Sequence, residues 1–182
     1  MNKNQLRQHA KNIRAGIDDD QREIDEVALK ENILTSLRSI NASDDVCIGV
    51  YYPIGSEISP LFDGSSLALP VIRHDKSLEF YPWAQGDPVV KREFNIPIPD
   101  TRHLSPVTPD VILAPLLLCD RNGNRLGYGK GHYDRYIASF NQRPVLIGVC
   151  FDEQIYEGTL PAEDHDVRLD MIITPKRVLD LR

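Results

Sequence analysis

The sequence predicts an α/β protein whose sheet, parallel or mixed, is buried on both faces, and three observations predict it. Residues 3–40 carry apolar side chains at helical spacing, with no Pro and only Gly16 as a breaker. Short apolar runs bounded by Gly and Pro replace that pattern after Asn41. Two of those runs, 111–118 and 145–151, are too continuously apolar for a strand with one wet face.

Two helices come first. Gly16 supplies the break between them, and Asp18, Asp19 and Asp20 then stand where a helix N-terminus favours negative charge, so the second helix starts near Asp18. This acidic run reads as a solvated cap rather than a metal site. Ile24, Val27, Ala28, Ile33, Leu34 and Leu37 are the expected apolar positions of the second helix. Strands follow at 46–52, 67–72, 78–81, 111–118 and 145–151. Prolines crowd the stretch between Pro53 and Pro115, which favours short strands and turns there. Between the two buried strands, residues 120–141 hold a polar, Gly-rich loop and then a helix-like stretch at 133–140. Strand, loop, helix and strand in that order form a right-handed crossover, which places the loop at the carboxyl edge of the sheet, where α/β proteins bind ligands.

At 182 residues the chain is read as one domain spanning 1–182. Hydrophobic residues make up 41% and charged residues 26%, enough apolar surface to close a core and to exclude the disordered class. Lys and Arg number 21 against 27 Asp and Glu, and the net charge of −6 gives no overall attraction for nucleic acid or an anionic membrane. No run approaches the ~18 apolar residues of a membrane span. The amphipathic start at Met1 lacks the apolar core of an export signal, so a cytoplasmic location is expected. Cys47, Cys119 and Cys150 lack metal-ligand spacing and read as reduced, buried small hydrophobes. His9, His74, His103 and His165 are not paired at metal spacing either, and surface placement is expected for each.

The most informative stretch is Asn124-Arg125-Leu126-Gly127-Tyr128-Gly129-Lys130-Gly131-His132-Tyr133-Asp134-Arg135. Three alternating glycines before a helix let backbone N–H groups turn toward one anion, and Arg125 and Lys130 flank that cradle. It is not a Walker A loop, because Gly131 rather than Ser or Thr follows Lys130, and its spacing misses the dinucleotide fingerprint. On local sequence alone it is a phosphate cradle or a tight connection. Lys3 and Arg7, four apart, share one face of the first helix, either as a second basic contribution to one pocket or as a solvated face.

Asp120, Gly123, Arg125, Leu126, Gly127, Gly129, Lys130, Gly131, Tyr133 and Asp134 resemble the signature of the 5-formyltetrahydrofolate cyclo-ligase family. The opening Lys3-x-x-Leu6-Arg7 resembles that family's N-terminal basic motif, and Ser56-Glu57-Ile58 its acidic loop after the first strand. Leu160-Pro161 through Asp166 to Ile172-Ile173-Thr174 resembles its closing segment. The resemblance implies a three-layer α/β/α fold with a mostly parallel central sheet and the N-terminal helices packed on it. It also implies a monomer that uses Mg2+ and ATP to cyclise 5-formyltetrahydrofolate, with or without a polyglutamate tail, to 5,10-methenyltetrahydrofolate.

By that resemblance ATP is bound by Lys3, Arg7, Arg125, Gly127, Tyr128, Gly129, Lys130, Gly131, His132 and Tyr133. Arg7, Tyr52, Glu57, Tyr128 and His132 take the folate. Lys130, Arg125 and Tyr133 carry catalysis, and Asp134 and Asp166 hold the metal. Glu57 suits a pterin because a carboxylate accepting two N–H donors complements the 2-amino-pyrimidinone edge. Tyr52 packs either on that ring or in the core, and Phe80-Tyr81-Pro82-Trp83 forms either a folate wall or, as favoured, a core strand. His132 stands where the family has an aromatic residue, so a pH dependence of activity that the aromatic form lacks is expected. The alternatives are a non-catalytic folate or phosphometabolite-binding module of the same fold, and an unrelated phosphosugar enzyme. The joint presence of Lys3, Arg7, Glu57, Lys130 and Asp134 argues for catalysis, because a module that only binds is free to lose its charge-stabilising pair.

Overall fold

The computed structural model describes residues 1–40, 46–64, 66–91 and 96–182, so the change of pattern after Asn41 lies outside the described residues. Helix α1 (Lys3–Ala15) begins with a reciprocal cap: Asn2 Oδ1 accepts the Asn4 and Gln5 N–H groups at 3.0 Å, and the Asn2 N–H donates to Gln5 Oε1 at 2.9 Å. Helix α2 (Asp19–Ser39) starts at the expected acidic run, where Asp18 Oδ1 accepts the Gln21 N–H at 2.9 Å. Its buried face is Asp25, Leu29, Ile33, Ser36 and Leu37. Ile24 and Val27, expected in the core, lie across the helix from that face and are 63% and 64% exposed.

Strands β1 (Ile48–Gly49), β2 (Leu67–Ile72) and β3 (Leu78–Pro82) precede a hairpin of β4 (Val89–Lys91) and β5 (Pro97–Pro99). Then come β6 (Val111–Pro115), β7 (Leu118–Asp120), β8 (Arg125–Leu126), α3 (His132–Ala138), β9 (Val145–Val149), β10 (Ile155–Tyr156), β11 (Met171–Ile173) and β12 (Val178–Asp180). The central sheet runs β12-β11-β9-β6-β1-β2-β3. Its five inner strands are parallel, and β3 and β12 are antiparallel edges. One face carries α2, with Leu29, Ile33 and Leu37 packed on Leu113, Ile147, Val149 and Ile173. The other carries Ile137 and Tyr133 of α3 against Phe80, Ile112, Ala114 and Leu146. Each such aliphatic side chain contributes about 1.5–3 kcal/mol of burial. The three-layer α/β/α reading is therefore what the structure shows.

Helix α1 departs from the expected placement on that sheet. Its Leu6 and Ala10 pack on Leu117, Leu118, Leu126 and Leu160, beside the smaller sheet β10-β7-β8. The apolar run 111–118 hides this second sheet. The chain leaves the central sheet at Pro115 and joins the other at Leu118, and Gln154 Nε2 donates to the carbonyls of Leu116 and Leu117 at 3.1 and 2.9 Å in the gap. Cys119 and Cys150 are buried with sulfurs 3.8 Å apart, whereas Cys47 is only partly buried.

Candidate active site

In chain order the five parallel strands lie 2-1-3-4-5, so the order reverses between β1 and β6. Ligands of doubly wound sheets sit in the crevice beyond the carboxyl ends at such a point. Glu57 follows β1 there, and the glycine loop follows β6 by way of β7 and β8.

Asp120, fully buried, builds the base of the loop. Its Oδ1 accepts the N–H groups of Asn122 and Asn124, and its Oδ2 accepts Asn124 Nδ2 and the Leu160 N–H, all at 2.8–3.0 Å. From Gly127 to Asp134 no backbone N–H donates to an acceptor among the described residues; the next amide, that of Arg135, bonds the Gly131 carbonyl at 3.1 Å. These N–H groups are thus left free of protein acceptors among the described residues. Gly129 has φ +89°, and a Cβ there would stand 2.9 Å from the Arg7 guanidinium. Helix α3 is only seven residues long, so its dipole adds little and the amides and cations carry the field.

The cations divide. Arg7 Nε donates to the Gly127 carbonyl at 3.0 Å, and Lys3 Nζ to Glu163 at 2.6 Å and Asp166 at 3.4 Å, so both side chains of that helix face reach the loop and the closing segment. The bond to Glu163 is the main cause of a raised Lys3 pKa. Lys130 is exposed, and its amine has no partner among the described residues. Arg125, expected to face the phosphates, turns inward instead: it donates to Asp134 Oδ1 at 2.8 Å and lies over the Tyr133 ring at 5.6 Å. Tyr133 packs edge-on to Phe80, and burial raises its phenol pKa. His132 Nδ1 lies 3.0 Å from the Lys76 carbonyl and 3.2 Å from Arg135 Nη2.

Glu57 is 7% exposed, and Tyr128 ties it to the loop through a hydroxyl that donates to Glu57 Oε1 at 2.7 Å. The Ile54 N–H donates to Glu57 Oε2 at 3.0 Å. Burial pushes the Glu57 pKa above its ordinary value, opposed by the Tyr128 hydroxyl, the Ile54 N–H and Arg14. Tyr128 is pushed up to about 12 by burial and by the Glu57 charge. Tyr52 stands apart, edge-on to Trp83 at 6.5 Å, and makes no hydrogen bond to Glu57 or the loop among the described residues. Phe80, Tyr81 and Trp83 are all buried, which favours the core reading of that strand. Asp134 Oδ1 also accepts the Val167 N–H at 3.2 Å, which brings Asp134 beside the residue that follows Asp166. Asp134 Oδ2 has no donor among the described residues, and Asp166 Oδ1 has only the His165 ring, 3.9 Å away. No group of three His, Cys, Asp or Glu forms a metal cage among the described residues. No helix there is long and apolar enough to cross a membrane.

The profile of the 5-formyltetrahydrofolate cyclo-ligase family matches residues 1–175. The chain belongs to that family. A 5-formyltetrahydrofolate cyclo-ligase of Mycolicibacterium smegmatis is 36% identical over 141 residues, 70% of this chain and 72% of the relative. One from Escherichia coli is 32% identical over 123 residues, 63% of this chain and 66% of that protein. The solved 5,10-methenyltetrahydrofolate synthetase of Aquifex aeolicus has a TM-score of 0.79 at 27% identity, covering all of this chain and 94% of that one. As a member of the cyclo-ligase family the chain is an enzyme, and the family's motifs meet through direct contacts of Lys3 with Asp166, Arg7 with Gly127, Tyr128 with Glu57 and Arg125 with Asp134.

The motifs missed one residue of that cluster. Arg14, 4% exposed, donates from Nη2 to the Tyr128 hydroxyl at 2.9 Å and holds Nη1 3.8 Å from Glu57 Oε1. Its signal was available, because Lys3, Arg7 and Arg14 recur at i, i+4 and i+11 on one helical stripe.

Proposed function

We propose that the chain catalyses ATP-dependent ring closure of 5-formyltetrahydrofolate to 5,10-methenyltetrahydrofolate, with release of ADP and phosphate. The observation that carries this reading is the row of unbonded N–H groups from Gly127 to Asp134, joined to buried Glu57 through Tyr128. A triphosphate on that row would meet Lys130 and Arg7, a local concentration of positive charge in a chain of net charge −6. Ionised Glu57 would accept the paired N–H donors of the pterin.

The chemistry asks for charge stabilisation and alignment more than for covalent help. A formamide oxygen is a weak nucleophile and hydroxide a poor leaving group. In the proposed sequence the formyl oxygen takes the γ-phosphoryl group from ATP and ADP departs. N10 then attacks the activated carbon and loses its proton, and the C–O bond breaks to release phosphate. Lys130, unpaired and exposed, is the side chain best suited to follow the moving charge. Arg125 would act indirectly, by holding Asp134 and the Tyr133 ring.

Asp134 and Asp166 fit Mg2+, since each offers a hard carboxylate oxygen without a close donor, and the phosphates would complete the coordination. The ion would supply charge neutralisation at the phosphates. Mixing the protein with Mg-ATP and 5-formyltetrahydrofolate and following the methenyl chromophore tests the reading. The chromophore should grow with ADP release; folate and nucleotide uptake without it would leave a binding module.

A further inference from the structure

We propose that Arg14 is a positioning residue: through the Tyr128 hydroxyl it holds Glu57 as an acceptor for paired N–H donors on the folate. The proposal rests on the folate reading above and extends it to a residue outside the family motifs.

A guanidinium buried this deeply is costly unless it is paired, and the side-chain contacts of Arg14 lead to one carboxylate. Nη1 stands 3.8 Å from Glu57 Oε1, and Nη2 donates to the Tyr128 oxygen at 2.9 Å. Its Nε has no acceptor among the described residues, an unmet donor that an apolar residue at this position would avoid. The polarity of the chain is then fixed. Arginine only donates, so the Tyr128 oxygen accepts from Arg14 and its own proton goes to Glu57. With the Ile54 N–H on Oε2, each carboxylate oxygen accepts one protein donor and keeps a lone pair for a ligand.

The groups facing Glu57 come from every element around it. Arg14 belongs to α1 and Tyr128 to the glycine loop. Arg22 of α2 donates to the Ser56 carbonyl at 3.0 Å and the Arg14 carbonyl at 3.3 Å. The phenols of Tyr51 and Tyr133 also feel the Glu57 charge. Burial favours the protonated carboxyl, whereas Arg14 and the hydroxyl favour the ionised one. Removing Arg14 or the hydroxyl should therefore convert acceptor to acid at a higher pH.

Two measurements on the full chain test this. Calorimetry with 5-formyltetrahydrofolate across the acid range should show binding about tenfold weaker for Arg14→Gln and for Tyr128→Phe, with the acid loss of binding beginning at higher pH. Mg-ATP affinity should stay within about twofold for Arg14→Gln, and Arg14→Lys should recover part of the folate affinity. Carboxyl 13C NMR of the ligand-free protein should show Glu57 titrating higher in both variants. Tyr128→Phe removes one oxygen from a half-exposed ring, so it carries the test alone should Arg14→Gln not fold. Parental folate affinity with an unmoved acid limb in Tyr128→Phe overturns the proposal. If the parent binds no folate, the functional reading fails, and an unmoved Glu57 titration then refutes the positioning role separately.

Discussion

Lys130 and Arg125 read alike as sequence, two cations flanking a glycine cradle, but the fold gives them opposite environments. Arg125 is spent on Asp134 and the Tyr133 ring, whereas the Lys130 amine has no partner among the described residues. Lys130→Ala should therefore lower turnover by about a hundredfold at saturating ATP while the melting temperature holds, and parental turnover would remove it from the chemistry. His132 is poised differently. A protonated Nδ1 donates to the Lys76 carbonyl and a bare one accepts from Arg135, so the two contacts exclude each other. Arg14 escaped the sequence reading because a basic residue in the last turn of a helix already has an ordinary explanation in the helix dipole.

Among the elements, legibility followed length. Both N-terminal helices and the six-residue β2 were readable, since caps and periodicity mark them strongly. Strand β1 was read at 46–52 from its apolar run, though only Ile48–Gly49 pair, whereas β8 and β10 hold two residues each, and β7, β11 and β12 three, too few to show a period of two. Their partners were invisible for the same reason, and with them the small sheet that carries the glycine loop. Within β9, a Cβ at Gly148 would lie 2.6 Å from Leu169 and 2.9 Å from Leu116. Gly148→Ala should cost about 1–3 kcal/mol, read as a lower denaturant midpoint with an unchanged slope. In the loop, Gly129→Ala meets both a positive φ and the Arg7 guanidinium. It should lower the denaturation midpoint by about 1–3 kcal/mol of stability and weaken Mg-ATP binding by at least about tenfold, and unchanged ATP affinity would show that the loop and Arg7 yield freely.

At the scale of the whole molecule, one reversal of strand order gathers segments more than a hundred residues apart. Lys3, Arg7 and Arg14 arrive on α1, Glu57 after β1, the glycine loop after β6, and Asp166 from the closing segment. The four motifs could be read singly, but which of them touch was not legible, because it depends on long-range sheet order. Arg7, Arg14, Arg125 and Lys130 gather around the glycine loop in a chain of net charge −6, so nucleotide uptake should weaken as salt rises. Titrating a non-hydrolysable ATP analogue with Mg2+ into the ligand-free protein tests the central claim most directly. One analogue should bind per chain, with the affinity reduced at least about tenfold by Lys130→Ala. No heat of binding, or equal affinity in parent and variant, would contradict the assignment of the loop to the phosphates.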